Sequence, residues 1–278
     1  MTIEELIKKS LEEDLGDGDH TSLSTIPVNS MGKAQLVAKE KGILAGVKIA
    51  EMVYKAVDSH TEFKIFIKDG SEINIGDIIF EVSGKSISIL SAERLALNFM
   101  QRMSGVATAT RKYVDIIKGT NTTLLDTRKT TPLMRQLEKE AVKLGGGDNH
   151  RMGLYDMIMI KDNHVDFAGG VSQAIEACHK YLTKKNKKLK IEIEVRNFNE
   201  LQEVLDYGKV DRIMLDNFIP TDLKKALDLI NNRYETEASG GITSETIRSF
   251  AETGVDFISV GALTHHIKSL DLSLKAIA

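Results

Sequence analysis

The chain is poor in cysteine, proline and large aromatics: its 278 residues include 1 cysteine, 3 prolines and no tryptophan. A lone cysteine, Cys178, excludes an intramolecular disulfide framework and a cysteine-rich zinc site. It lies in a helix-like stretch and reads as a buried structural thiol. So few prolines leave no proline-rich linker. No apolar run is long enough to span a bilayer. The amphipathic, acidic segment MTIEELIKKSLEEDLG lacks the unbroken apolar core of a signal peptide. No membrane association and a cytoplasmic location are therefore expected. Neither sign of charge dominates, with 37 Lys and Arg against 40 Asp and Glu and a formal net charge of -3, so nothing global points to nucleic acid or an anionic membrane. What remains is a globular composition, 42% hydrophobic and 28% charged. The length suits one large barrel or two modest domains.

The pattern changes near residue 105. Before it, an N-terminal helix over residues 3 to 14 leads into the turn-rich GDGDHTS. Strand-like pieces KAQLVAKEKGILAG, EFKIFIKDG and INIGDIIFEVSG follow, punctuated by Gly70, Gly76 and Gly84. These imply a small sheet domain. The stretch KDGSEINIGDIIFEVSGKSISIL also resembles the sheet of lipoyl and biotinyl carrier domains, which present a lysine in a tight hairpin. Lys85 follows Gly84, but the flanking residues of a carrier are absent, so the likeness is one of architecture. Residues 91 to 117 form a long helical pattern in which Leu95, Phe99, Met103, Val106, Thr110 and Val114 share one face. Gly105 is expected to kink this helix or mark a domain junction.

After residue 120, strands alternate with helices. TLLD (123–126), DMIMI (156–160), IEIEV (191–195), RIMLD (212–216), TEASG (236–240) and DFISVG (256–261) are the strand candidates. Such alternation predicts a parallel sheet with right-handed crossovers. Six strands rather than eight favour an incomplete α/β barrel. Polar residues close several strands: Asp126, Lys161 with Asp162, Glu194, Asp216 and Ser239. Active sites of barrels lie at that face.

Three features there call for chemistry. In LLDTRKTTP, Arg128 and Lys129 follow a strand end and suit a di-anionic ligand: guanidinium grips a carboxylate with two bonds, and ammonium adds a point charge. The plain alternative is a solvated pair before a helix capped by Thr131 with Pro132 at its first position. In GGGDNHRMGLYDMIMIKDNH, three glycines free the backbone, His150 and Arg151 follow, and Lys161 closes an apolar strand; here the alternative is a salt bridge to Asp162 or Asp126. The late turns EASGGIT and ISVGALTHH offer backbone N–H groups to a phosphate, one half from Ser239, Gly240 and Gly241, the other from Gly261 and Ala262. Glu194 and Asp216 lie between these ends and suit ribose hydroxyls or a divalent ion, or else salt bridges across the barrel.

Together, ERLALN, GVAT, DTRKTTP, GGGDNHR, KDNH, IEIEV, MLDNF, SGGI and VGALTH resemble the quinolinate phosphoribosyltransferase (nicotinate-nucleotide pyrophosphorylase) family over nearly the whole chain. The resemblance implies an N-terminal α/β sandwich domain, residues 1–105 with 265–278 returning to it, and an incomplete α/β barrel over 106–264. It implies a homodimer or higher homo-oligomer, head to tail, with Arg94 reaching the neighbouring subunit's site. Arg94, Arg128, Lys129, His150, Arg151 and Lys161 then correspond to the quinolinate cluster. Glu194 and Asp216 correspond to the ribose and Mg2+ side, and Ser239, Gly240, Gly241, Gly261 and Ala262 to the 5-phosphate side. Lys129, Lys161, Glu194 and Asp216 are the implied catalytic residues, and any magnesium held by Glu194 and Asp216 is carried mainly by substrate pyrophosphate. Of the two glutamates in IEIEV, Glu194 is taken because it stands at the strand's C-terminal end.

The implied reaction joins quinolinate to phosphoribosyl pyrophosphate and releases pyrophosphate and carbon dioxide, giving nicotinate mononucleotide for NAD biosynthesis. It needs no enzyme nucleophile. A homologue acting on another acid is the nearest rival. The lysine-rich KYLTKKNKKLK (180–190) is the best support for a nucleic-acid reading, but it reads as a solvated helix end.

Overall fold

Leucine, isoleucine and valine at alternating or helical spacing set the order of elements, and the computed structural model describes residues 1–277. The first stretch runs α1 (Ile3–Leu15), α2 (His20–Thr25), β1 (Met31–Ala38), β2 (Gly42–Ile43), α3 (Val47–Val57), β3 (Glu62–Ile65), β4 (Glu72–Ile73), β5 (Ile78–Lys85) and α4 (Ser86–Ile116). There follow β6 (Thr123–Leu125), α5 (Arg135–Leu144), β7 (Ile158–Ile160), α6 (Asp162–Ala168), α7 (Val171–Lys185), β8 (Ile191–Val195) and α8 (Phe198–Tyr207). The chain ends with β9 (Arg212–Asp216), α9 (Pro220–Ile230), β10 (Glu235–Ser239), α10 (Ile247–Ala251), β11 (Phe257–Ser259), α11 (Ala262–His265) and β12 (Leu272–Ile277).

These elements group into two units. The first takes Met1–Arg111, Thr131–Gly146 and the chain from His266 onward; the second takes Lys112–Thr130 and Gly147–His265. Of the segment 265–278, the last residue lies outside the described residues.

In the first unit a four-stranded antiparallel sheet has the order β12-β1-β5-β3. Strand β1 buries Ala34, Leu36 and Ala38 on one face, the period-two pattern of a half-buried strand. Phe63 and Phe80 pack with centroids 4.3 Å apart, and Tyr54 of α3 closes the cluster. Helix α1 starts with a capping box between Thr2 and Glu5 and buries Leu6, Ile7 and Leu11. Strand β5 runs straight into α4, so Gly84 and Lys85 form no hairpin and the carrier likeness ends there. Helix α4 runs unbroken through Gly105. A side chain at that position would collide with the carbonyl of Lys268, so the glycine lets the C-terminal segment cross the helix.

Helix α5 begins at Arg135, with no side-chain cap, rather than at Pro132 behind a Thr131 cap. The Thr131 N–H donates to Glu138 Oε2 at 3.0 Å and its hydroxyl accepts from Arg102 at 3.2 Å. Leu133 then turns through φ 67°, which no helix contains. Helices α2, α3 and α6 were not expected; GDGDHTS holds the Asp19 cap of α2 rather than a bare turn.

The second unit carries a six-stranded sheet, order β6-β11-β10-β9-β8-β7, with all its pairings parallel. Strands β6 and β7 are its edges and do not pair with one another, the incomplete α/β barrel expected from the sequence. Strand β8 is buried on both faces, as parallel strands under crossover helices must be. The lysines after Tyr181 end α7 behind an Asn186 cap at φ 49° and are mostly exposed, the solvated end anticipated for that run.

Candidate active site

A cavity of about 860 Å³ opens at the C-terminal strand ends of the second unit. Arg128, Lys129, His150, Arg151, Lys161, Glu194, Asp216, Ser239, Gly240, Gly241, Gly261 and Ala262 all line it. Arg94 does not; it lies in the first unit on an exposed face of α4. Thr127, Met159, Met214, Asn217, Glu237, Ser259 and His265 line it as well and were not singled out from the sequence.

One end of the cavity is cationic. Burial lowers the pKa of Arg151, and the nearby Arg128 guanidinium lowers it further. The buried Nε of Arg128 has no hydrogen-bond partner among the described residues. Two guanidiniums held close, one with an unmatched donor, form a site that an anion would complete. Arg151 is anchored by Nη1 donating to the Met157 carbonyl at 3.1 Å. The loop carrying Lys129 is held by the Thr264 hydroxyl, which donates to the Lys129 carbonyl at 2.7 Å. A side chain at Gly261 would come within 2.9 Å of Lys129 Cδ, so glycine there leaves room for the lysine stem. Lys161 Nζ pairs with Glu194 Oε2 at 3.1 Å, rather than with Asp162 or Asp126.

Below this end the barrel interior is charged. The Asp126 carboxylate accepts the His150 backbone N–H at 2.9 Å. The His150 ring points inward, with Nε2 2.9 Å from Glu192 and 3.4 Å from Glu237, both glutamates fully buried. Burial alone would lower the His150 pKa, but its bonds to Glu192 and Glu237 outweigh it and push it up to about 9. Burial and the charge of Glu237 raise Glu192 to about 7. Glu237 is also buried, yet it stays below the usual carboxylate range because His150, Ser259 and Arg212 hold its charge. The Arg151 N–H donates to His150 Nδ1 at 2.7 Å, so that nitrogen is an acceptor and the ring proton sits on Nε2. A doubly protonated ring conflicts with this contact. We therefore assign the extra proton of the cluster to Glu192.

At the far end, burial raises the pKa of Asp216 and Glu194 raises it further, while Lys161 and Asn217 oppose the shift. Asn217, at φ 58°, donates from its side chain to Asp216 at 2.6 Å. Its side chain occupies the space that a Cβ at Gly240 (φ 96°) would need. Asp216 and the turn at Gly240 are thus packed together through Asn217. Two partly desolvated carboxylates supply the hard oxygen donors that magnesium takes. The tightest grouping of metal-ligand atoms among the described residues is instead His150, Glu192 and Glu237, already paired with one another. Glu192 and Glu194 stand two apart on β8, and Glu237 stands two before Ser239 on β10. Strand periodicity alone could have placed both glutamates on the inner wall.

An incomplete α/β barrel whose mouth joins a cationic end to a glycine-rich anion end has the architecture of an enzyme for small anionic substrates. Two family descriptions match nearly the whole chain: Quinolinate phosphoribosyl transferase, N-terminal domain, over residues 19–104, and its C-terminal domain over residues 106–275. The chain belongs to the quinolinate phosphoribosyltransferase family. It is 46% identical to quinolinate phosphoribosyltransferase [decarboxylating] 1b of Nicotiana tabacum, over 97% of this chain and 81% of that one. It is 42% identical to a probable nicotinate-nucleotide pyrophosphorylase of Bacillus subtilis, over 99% and 93%. The crystal structure of NadC from Streptococcus pyogenes superposes with a TM-score of 0.93 at 38% identity, covering 99% of this chain and 97% of that one.

Proposed function

We propose that the protein transfers phosphoribosyl from phosphoribosyl pyrophosphate to quinolinate with decarboxylation, giving nicotinate mononucleotide, pyrophosphate and carbon dioxide. The observation that carries the substrate choice is the pair Arg128 and Arg151, close enough to depress the pKa of Arg151, with Lys129 and Lys161 on the same cavity wall. Four cations in one cavity suit a substrate with two carboxylates better than one with a single carboxylate.

Lys129, Arg128, Arg151, Lys161 and His150 orient quinolinate so that its ring nitrogen faces the anomeric carbon. Backbone groups of Ser239, Gly240, Gly241, Gly261 and Ala262 take the 5-phosphate, and Glu194 and Asp216 take the ribose hydroxyls. As pyrophosphate leaves, positive charge grows on the sugar, and Glu194 and Asp216 stabilise it. Once alkylated, the cationic ring nitrogen stabilises the electron pair left on C2 when the 2-carboxylate departs as carbon dioxide, and a proton delivered from solvent after carbon dioxide has left completes C2. The cations keep that carboxylate oriented and shielded from water. Glu194 and Asp216 would hold magnesium, which would supply charge neutralisation for the pyrophosphate.

The working form is a homodimer or a higher homo-oligomer, with Arg94 of one subunit serving the site of another; its exposure on α4 and absence from its own chain's cavity support this. We propose a cytoplasmic location; α1 is capped by Thr2 and Glu5 and packs Leu6, Ile7 and Leu11 into the first unit. Residues 1–105 with 265–278 serve as the N-terminal domain and 106–264 as the catalytic barrel. Incubation with quinolinate, phosphoribosyl pyrophosphate and Mg2+ should yield nicotinate mononucleotide. Product from nicotinate but none from quinolinate would overturn the reading.

A further inference from the structure

Beneath the cavity, the barrel interior is filled by a chain of charges where apolar residues would ordinarily pack. Arg212 Nη1 lies 3.1 Å from Glu237 and its Nη2 lies 3.1 Å from Glu235. Its guanidinium also stacks on the Phe257 ring, 3.9 Å from the centroid. Glu237 continues the chain to His150, and His150 Nδ1 receives the Arg151 N–H. A buried charge is retained at the expense of desolvation, so an ordered run of them in a barrel core asks for a purpose. Each link fixes the next: the doubly held and stacked Arg212 fixes Glu237, Glu237 fixes the imidazole, and the imidazole fixes the backbone that carries the Arg151 guanidinium.

We infer that Glu237 and Arg212 are positioning residues for quinolinate, acting through His150 and Arg151 to set the cationic end of the cavity. The inference rests on the proposed quinolinate reading. It predicts a selective defect: Glu237 shares β10 with Ser239, but its side chain contacts Arg212 and His150, and that run of contacts leads to Arg151 rather than to the turns at Ser239–Gly241 and Gly261–Ala262. A generally loosened core would affect both substrates alike.

The test is steady-state kinetics on Glu237→Leu, Glu237→Gln and Arg212→Lys beside the wild type, with unfolding temperature and metal content measured for each. Product formation by the wild type checks the underlying reading separately. In Glu237→Leu the KM for quinolinate should rise about tenfold or more, the loss of one buried charged hydrogen bond. The KM for phosphoribosyl pyrophosphate should stay within about twofold. Glu237→Gln, which keeps an acceptor for Nε2, should recover most of the quinolinate affinity. Should Glu237→Leu not fold, Arg212→Lys, which keeps a cation but loses the two-handed grip, should still raise the quinolinate KM selectively, by about threefold or more. An unchanged quinolinate KM, an equal rise for both substrates, or a stoichiometric metal at His150, Glu192 and Glu237 would overturn the assignment.

Discussion

Lys161 Nζ and Glu194 Oε2 stand 3.1 Å apart across the strand ends of β7 and β8. Each belongs to a different half of the proposed reaction, the lysine to quinolinate and the glutamate to ribose. On that proposal the pair would bring the two reacting halves side by side. Lys161 is half exposed, at 46%, so the pair adds little to stability. Lys161→Ala should therefore lower kcat/KM by about 100-fold or more, as loss of a group aimed at developing charge does. The urea midpoint should barely move.

Arg128 and Arg151 offer the converse case. Their charges repel, and Arg128 Nε goes unmatched. Arg151→Ala and Lys129→Ala should each abolish turnover while stability changes by no more than about 1 kcal/mol. Near-normal kcat/KM in both variants would remove the site assignment.

Sharing of sites between subunits can be read by complementation. A subunit carrying Arg94→Ala keeps an intact barrel, and one carrying Lys161→Ala keeps Arg94. Neither homo-oligomer should turn over at more than a few per cent of the wild-type rate. Mixed dimers should recover roughly a quarter to a half of it, since one site per dimer is whole. Verified mixed dimers that remain inactive would place Arg94 outside the active site.

The barrel was legible because short strands alternate with helices and several strands close on a polar residue, and IEIEV, RIMLD and DFISVG sit within a residue or two of β8, β9 and β11. The cavity-lining cations were legible from their places at or just after strand ends. The charged interior was legible only in part, since strand period puts Glu192 in step with Glu194 and Glu237 with Ser239. Glu192 and Glu237 look like ordinary strand residues until His150, from a loop, is brought between them, and no local pattern encodes that long-range contact. Helix α3 did leave a signal: Val47, Ala50, Val53 and Tyr54 repeat at helical spacing and are buried. It follows directly on the strand-like GILAG, whose apolar run masks the start of the helical period. Thr131 is held outside α5 by Glu138 of that helix and by Arg102 of α4, a distant residue, so no rule on Thr-Pro pairs could set that boundary.

The buried cluster makes stability depend on pH. The cluster's extra proton lies on Glu192, whose pKa rises from 4.5 to about 7. A group with a raised folded-state pKa binds its proton more tightly in the folded protein. Its contribution is complete below the unfolded value and is lost as pH climbs through the folded one. Between about pH 4.5 and 7 the unfolding free energy should fall, by up to about 3 kcal/mol. Glu237→Gln removes a charge that raises Glu192, so urea titrations of that variant should show a shallower decline. An equal slope in variant and wild type would mean that the cluster carries no excess proton in this range.

Leu133 carries a different kind of stored energy. Its φ is 67°, in the left-handed region, and 70% of its surface is exposed. A leucine there strains against its own backbone by about 1–2 kcal/mol, and so exposed a side chain returns little through burial. Leu133→Gly removes the strain at an entropic cost of about 0.5–1 kcal/mol in the unfolded chain. The variant should come out more stable by roughly 0.5–1 kcal/mol. Leu133→Asn, a residue that tolerates this conformation, should gain a smaller part of that. The turn lies four residues after Lys129, so turnover must be followed alongside the urea midpoint. Greater stability with kcat/KM within about twofold of wild type would show that the strain is incidental to catalysis; greater stability with a fallen kcat would show that it holds the Lys129 loop in its working shape. A lower midpoint in both variants would mean that the leucine side chain is held by contacts its exposure does not suggest.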